Sequence, residues 1–200
     1  DFVLVFGGAT AAIGILWLAL LVNPLTSLLG AATLVSYLFL YTPSKRVTSL
    51  NTIIGAVPGA IPPLMGWTAA RGELSLEGWY LFAVLFFWQL PHFMAIAWIY
   101  REQYAKAGFK MLPVVDETGV RTGRSALSHT LGLVPVSLFP VAIQVCGPIY
   151  FVGALLLGIG FLAFAWRFSR SLTLASARLL FFYSIIYLPL LLGLMVIDKI

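Results

Sequence analysis

The sequence predicts an all-α fold, a polytopic transmembrane helical bundle that forms a single membrane-embedded domain over residues 1–200. Three observations support this prediction. Of the 200 residues, 61% are hydrophobic and only 10% are charged, whereas a soluble domain carries about 25% charged residues. Long stretches contain no charged residue, and most of the basic residues fall on one side of the predicted spans. A disordered chain and a disulfide scaffold are excluded, because the hydrophobic content is high and there is one cysteine.

Five charge-free stretches account for seven spans, because a helix needs roughly 20 apolar residues to cross a bilayer. The first stretch covers residues 2–44, twice the length of one span, and the turn signal Asn23-Pro24 in its middle predicts a helical hairpin. The other stretches are residues 47–70 and 78–100 for one span each, residues 125–166 for a second hairpin turning at Gly147-Pro148, and residues 179–197 for the last span.

The basic residues predict the orientation of these spans. Lys and Arg in short loops are retained on the cytoplasmic side. If the seven spans alternate, ten of the 12 Lys and Arg fall on one side, and only Arg71 and Lys199 fall on the other. We therefore expect Asp1 and the basic loops to be cytoplasmic. Basic residues scattered among apolar runs form a poor footprint for nucleic acid, so no nucleic-acid partner is expected.

The longest basic loop, residues 101–124, contains five basic and three acidic residues. Its first part, Arg101 to Gly108, predicts a short helix that ends at the glycine, and we expect Lys106 and Lys110 to share a face near the membrane surface. Cations beside an apolar cavity suit an anionic group on a lipid tail, such as a diphosphate. The alternative is that these residues, like Lys45 and Arg46, only set the membrane topology.

His92 lies inside a predicted span, about 12 Å from its cytoplasmic end at 1.5 Å per residue. Ionisable groups at such depth usually face a cavity or the interior of a bundle. Pro91 removes a backbone hydrogen bond beside it, and Gln89 adds an amide one turn earlier. A functional imidazole and one that only bonds a neighbouring helix both remain open. No phosphate-binding glycine loop and no metal-ligand spacing occur in the sequence.

Several blocks of the sequence resemble one family closely. These blocks are residues 41–51 (YTPSKRVTSLN), 55–66 with Pro62-Pro63, 88–93 (WQLPHF), 104–108 (YAKAG) and 111–114 (MLPV). On these blocks the chain is similar to the heme O synthases, the protoheme IX farnesyltransferases, within the UbiA-type intramembrane prenyltransferases.

The resemblance implies a nine-helix bundle of which seven helices are present, without the first two helices and the first acidic loop, so that the catalytic residues stay unassigned. We expect such a segment alone to be inactive. It implies heme B and farnesyl diphosphate as substrates, Mg²⁺ held mainly by the missing loop, a bacterial inner membrane, and a heme A synthase or terminal oxidase as assembly partner. The alternatives are a related prenyltransferase for a quinone or chlorophyll precursor, and a transporter or non-catalytic assembly subunit.

The resemblance also implies roles for individual residues. Glu102 is a weak candidate for a second Mg²⁺ contact, because aspartates are expected there and Gln103 follows it. The other candidates are Lys45, Arg46, Arg101, Lys106 and Lys110 for diphosphate, His92, Gln89 and Trp88 for heme, and Thr48, Asn51 and Tyr104 for support.

Overall fold

The computed structural model describes residues 1–200, which form ten α-helices and one π-helical turn and no β-strand. Seven helical segments are long and apolar enough to cross a membrane, so the predicted all-α bundle of seven spans is confirmed. The elements are α1 (Phe2–Leu21), α2 (Pro24–Val35), the π-helical turn (Ser36–Tyr41), α3 (Thr42–Val47), α4 (Asn51–Arg71), α5 (Leu76–Ile99), α6 (Arg101–Lys106), α7 (Leu112–Val115), α8 (Val120–Ala142), α9 (Pro148–Ser171) and α10 (Leu174–Ile197).

Both predicted hairpin turns are present, and each has a local cause. The side chain of Asn23 caps α2 by accepting a 2.8 Å hydrogen bond from the Thr26 N–H, with Pro24 in the first helical position. In the second hairpin α9 begins at Pro148, directly after the extended Gly147. The turn signals in the sequence therefore predicted the helix starts correctly.

Two helices begin five residues earlier than the charge-free stretches predicted. α8 begins at Val120 and includes Arg121 and Arg124, while α10 begins at Leu174 and includes Arg178. Long basic side chains can lie along a helix end and keep their charged groups at the membrane surface. A charge therefore does not mark the end of a helix, and the boundaries at residues 125 and 179 were wrong.

Four helices, α5, α8, α9 and α10, form a closed ring in which each packs against two neighbours. Buried hydroxyls join the ring internally. Tyr80 and Tyr150 share a 2.8 Å hydrogen bond, and the Tyr150 hydroxyl donates to the Ser137 carbonyl at 2.7 Å. The Tyr187 hydroxyl is 2.6 Å from Ser137 Oγ. These polar groups are satisfied within the protein, as a bilayer requires.

The remaining spans lie outside this four-helix ring. α4 packs against α5 and α2, and α1 packs mainly against α2. No residue of α1 is buried. Packing therefore becomes looser from the four-helix ring towards the N-terminal helices.

At the end of the bundle where α9 begins, the C-terminal segment closes onto the α8–α9 turn. One Asp198 carboxylate oxygen accepts a 2.7 Å hydrogen bond from the Tyr150 N–H, and the Asp198 carbonyl accepts one of 3.0 Å from the Gly147 N–H. The Ile200 N–H donates to the Val145 carbonyl at 3.1 Å. We refer to these contacts, made by residues 145–150 and 198–200, as the C-terminal clasp.

Candidate functional site

The candidate site begins at the π-helical turn that continues α2. Pro43 has no N–H to donate to the preceding turn, and the Thr42 hydroxyl donates to the Tyr37 carbonyl at 2.9 Å. π-Helical segments occur frequently at functional sites. Tyr37 and Tyr41 lie one turn apart with ring centroids separated by 5.1 Å. The turn therefore presents two aromatic rings directly before the basic pair Lys45 and Arg46.

Lys45 lies among three aromatic rings. Its Nζ is 4.4 Å from the Tyr41 centroid, 5.7 Å from that of Tyr37 and 6.0 Å from that of Phe109. These distances are within the range of cation–π attraction. We call Tyr37, Tyr41 and Phe109 the aromatic cage. The cage holds the ammonium without neutralising it, since no acidic side chain is part of it.

Backbone hydrogen bonds join two loops around this lysine. The Lys110 N–H donates to the Lys45 carbonyl at 2.7 Å. The side-chain amide of Asn51, which is fully buried, donates to the carbonyls of Lys110 at 3.1 Å and Thr48 at 2.6 Å. The backbones of Lys45 and Lys110 therefore lie side by side. Thr48 and Asn51 fix the geometry of the two segments around them.

The expected pairing of Lys106 with Lys110 on one helix face was wrong. α6 ends at Lys106, and Gly108 adopts a φ of +72°, a left-handed conformation that ends the helix. Lys110 consequently lies beyond the helix and approaches Lys45. Tyr104 packs near Phe109, with centroids 6.1 Å apart, so it supports one wall of the aromatic cage.

A cavity of about 350 Å³ adjoins the aromatic cage. Gln89 lies in its wall and donates to the Ala56 carbonyl at 2.7 Å. Pro62 and Pro63 leave the carbonyls of Pro58 and Gly59 without their usual i+4 donors, and both of these residues line the cavity. The lining residues are Tyr37, Tyr41, Thr52, Gly55, Pro58, Gly59, Gln89, Phe93 and Met111.

The three residues expected to contact heme lie on two faces of α5. Gln89 faces α4, whereas His92 and Trp88 face α10. His92 Nδ1 is 2.7 Å from Ser184 Oγ, and Trp88 Nε1 donates to the Ser184 carbonyl at 2.8 Å. The rings of His92 and Trp88 are stacked at 4.8 Å, and Phe181 lies 5.1 Å from the imidazole.

A second pocket, of about 320 Å³, lies beside α6 and α7 and is lined by Arg101, Glu102, Asp116 and Glu117 among others. The Arg101 guanidinium stacks on Trp98 at 4.8 Å. The Asp116 carboxylate is hydrogen-bonded to Thr122, whose N–H and hydroxyl donate to one carboxylate oxygen at 2.8 and 2.9 Å.

These acidic residues do not fit a Mg²⁺ site. No group of three or more His, Cys, Asp or Glu side chains could hold a metal ion, and the carboxylate of Asp116 already caps α8. Glu102 lines the second pocket, apart from Lys45 and its aromatic cage.

Sequence reasoning missed the aromatic cage and Ser184. Tyr37, Tyr41 and Lys45 are spaced by four residues, which places them on one helix face, so this pattern was a usable signal. Ser184 gave no such signal, because it lies in an otherwise apolar span far along the chain from His92.

Comparison with known proteins gives concordant results. The sequence profile described as the UbiA prenyltransferase family matches residues 1–186. Relatives named protoheme IX farnesyltransferase include that of Solibacter usitatus, 50% identical over 98% of this chain and 67% of the relative. Those of Koribacter versatilis (44% identical, 98% and 64% covered) and Opitutus terrae (48% identical, 96% and 66% covered) are similar. The chain thus spans about two thirds of their length.

The fold also has a counterpart among solved structures. A structure of digeranylgeranylglyceryl phosphate synthase superimposes with a TM-score of 0.81, over 96% of this chain and 67% of that one. The two sequences are 17% identical, so this likeness bears on the fold alone.

Proposed function

Because the chain belongs to the UbiA prenyltransferase family, we propose that it transfers a farnesyl group from farnesyl diphosphate to heme B, giving heme O and diphosphate. The observation that carries this proposal is the position of Lys45, whose Nζ lies 4.4 Å from the centroid of Tyr41, a residue that lines the cavity. A cation beside a largely apolar cavity suits a substrate that joins an anionic head to a hydrocarbon chain. The relatives named above support the choice of farnesyl and heme.

In this proposal the diphosphate binds between the two joined loops. Lys45 and Lys110 come from different loops and are held together by the hydrogen bond between their backbones. Arg46 follows Lys45 in α3, Lys106 ends α6 and Arg101 lines the second pocket, and in this proposal they add positive charge at the same end of the bundle. Fixed cations stabilise the charge that develops on a leaving diphosphate. Members of the family generally use Mg²⁺ to bind diphosphate, but the acidic residues described above have no metal role in this proposal.

The farnesyl chain would occupy the cavity, with its reactive carbon near the aromatic cage. The bond between C1 and the diphosphate oxygen breaks, and the diphosphate leaves with the electron pair. The heme vinyl group forms the new bond to C1, and water adds to the resulting cation and loses a proton, which gives a hydroxyethylfarnesyl group. The rings of Tyr37 and Tyr41 can stabilise the allylic cation, and apolar walls keep water from capturing it early.

His92 and Trp88 are proposed to contact the heme from α5. The Ser184 hydroxyl has one proton, which it donates to the Phe181 carbonyl at 2.6 Å. The 2.7 Å contact with His92 Nδ1 therefore requires the imidazole to donate. This tautomer leaves a lone pair on Nε2, which can bind iron or accept a hydrogen bond from a propionic acid group.

The protein is an integral multi-pass membrane protein with seven candidate spans. We propose a bacterial inner membrane with the basic end in the cytoplasm, because ten of the 12 basic residues lie at that end. A heme A synthase or a terminal oxidase would use the product and is the expected assembly partner.

Membranes that contain the full-length protein provide the direct test. Incubation with heme B, farnesyl diphosphate and Mg²⁺ is expected to produce heme O, measured by chromatography and mass spectrometry. A parallel incubation replaces heme B with a quinone precursor. Farnesylation of that precursor without heme O would overturn the proposal in favour of the related prenyltransferases.

Two substitutions separate the roles of the substrates. Lys45→Ala is expected to raise the KM for farnesyl diphosphate about tenfold, the equivalent of 1.4 kcal/mol, with a smaller effect on heme. His92→Ala is expected to have the opposite pattern. Lys199→Ala removes a cation at the opposite end of the bundle and serves as the control. An equal rise in the same KM for both variants would contradict this division.

A further inference from the structure

A third groove lies between the beginnings of α4 and α8 and shares one lining residue, Thr52, with the proposed farnesyl cavity. Its volume is about 380 Å³, and its polar wall includes Arg121, Arg124, Ser125 and Ser128 from α8 and Ser49 from the loop before α4. Arg121 lies three and four positions before Arg124 and Ser125, and these lie four and three positions before Ser128, so the four α8 residues share one helix face. The groove thus has a row of two guanidinium groups followed by two hydroxyls.

The two arginines are in an unfavourable place for the helix itself. They lie in the first two turns of α8, where the helix dipole favours negative charge. Asp116, the nearest buried acid in the sequence, accepts its short hydrogen bonds from Thr122. An anion bound here would be stabilised by both guanidinium groups and by the helix end.

The groove becomes apolar beyond its basic end. Apart from Thr52, Ser49 and the α8 residues, its lining is apolar and is formed by Leu50, Ile53, Met94 and Leu112. On the facing side, Ile53 and Val57 of α4 are 40% and 43% exposed. α4 and α8 both pack on α5, so the groove between them lies on the outside of the four-helix ring. Its charge and polarity therefore change along the membrane normal as they do in a phospholipid.

We propose that this groove binds an anionic phospholipid, with the phosphate diester on Arg121 and Arg124 and one acyl chain along Ile53 and Val57 of α4. Guanidinium groups suit phosphate oxygens, and the hydroxyls of Ser125 and Ser128 can donate to the glycerol region. Basic pockets between spanning helices are known binding places for anionic headgroups. The inference stands independently of the proposed reaction, since neither arginine belongs to the proposed prenyl-transfer site.

Thermal unfolding of the purified full-length protein tests the proposal. Addition of phosphatidylglycerol to the detergent-solubilised protein is expected to raise Tm, whereas phosphatidylcholine is not. In the double variant Arg121→Gln/Arg124→Gln, the phosphatidylglycerol concentration that gives half of the maximal rise in Tm should increase at least tenfold. The matched control Arg167→Gln/Arg170→Gln removes two charges from α9 at the same end of the bundle and should behave as the wild type. Equal loss in both double variants would overturn the proposal, because it would indicate only a general charge effect.

Two further measurements distinguish a phospholipid from other anions as the ligand of the groove. Inorganic phosphate that raises Tm as much as the lipid at equal concentration would indicate a site for a free anion, and heme B that displaces the lipid would indicate a site for heme carboxylates. Either result would overturn the proposal. Ser128→Leu fills the groove on a lipid-facing helix without removing a charge. It should reduce the rise in Tm caused by phosphatidylglycerol, and it tests the proposal even if the arginine variant does not fold. An undiminished effect in Ser128→Leu would contradict the proposed position of the lipid.

Discussion

The C-terminal four-helix ring and the N-terminal helix α1 are both strongly apolar, yet they differ in how they pack. The ring fully buries large side chains such as Tyr150, Phe161, Phe168 and Tyr187, while α1 buries no residue. Lipid tails are as apolar as leucine, so apolar composition alone gives no reason for spanning helices to associate. The four-helix ring has glycines at helix contacts and several hydrogen bonds between buried hydroxyls, whereas α1 has a single hydrogen bond to α2, from the Ser27 hydroxyl to the Ile15 carbonyl.

The largest effect is expected at a glycine contact inside the four-helix ring. A Cβ at Gly123 would lie 2.8 Å from the Cα of Ser169, a backbone atom that cannot move aside. Gly123→Ala should lower the free energy of unfolding by about 2 kcal/mol, as overpacking does, measured by SDS titration. Gly14→Ala in α1, where a Cβ meets nothing within 4 Å, is the matched control and should cause no loss. Similar losses in both variants would contradict the comparison.

Loss of a contact in the C-terminal clasp should lower the free energy of unfolding by less than Gly123→Ala does. Asp198→Ala removes the carboxylate that accepts from the Tyr150 N–H at the start of α9. Loss of a helix cap costs about 1 kcal/mol, and the same titration measures it. Glu73→Ala, in the short turn between α4 and α5, is the control. A stability equal to that of the wild type would mean that the clasp only follows the helices and does not stabilise them.

Removal of a single hydroxyl from the four-helix ring should lower the free energy of unfolding by less than either change above. Tyr187→Phe removes the 2.6 Å hydrogen bond to Ser137, and such bonds in membrane proteins average about 0.6 kcal/mol. Tyr37→Phe, at a ring that is 46% exposed, is the comparison variant. If Tyr187→Phe costs several kcal/mol, the hydroxyl network is stronger than the glycine contacts and the ranking above is reversed.

The smallest effect concerns Cys146, which lies in the clasp and is buried. Burial, with a smaller contribution from the charge of Asp198, raises the pKa of the Cys146 thiol. Because the thiolate is the reactive form, maleimide labelling should be slow near neutral pH and should increase at a higher pH than for an exposed thiol. Labelling should become faster in Asp198→Ala, as followed by mass spectrometry. Rapid labelling of the wild type would show that the clasp opens readily.

The sequence predicted the spans and turns because these depend on local composition. It failed at the starts of α8 and α10, since Arg121, Arg124 and Arg178 lie within helices and reach the surface by their length. The sequence also did not predict which residues of α5 face α4 and which face α10. Its apolar residues surround the whole helix, so no periodic pattern indicated that His92 faces Ser184 while Gln89 faces Ala56. The approach of Lys110 to Lys45 depends on tertiary structure, which spacing does not reveal.

The joined loops at the basic end also constrain the order in which this protein can be assembled. The Asn51 amide and the Lys110 carbonyl that it binds are 59 residues apart in the chain. Phe109 of the aromatic cage comes from the same late segment. During synthesis, α4 and α5 must therefore already be inserted before the surroundings of Lys45 are complete. A nascent chain that ends before residue 109 has this lysine but not the third ring of its aromatic cage, so the surroundings of Lys45 are complete only after α5 has been made.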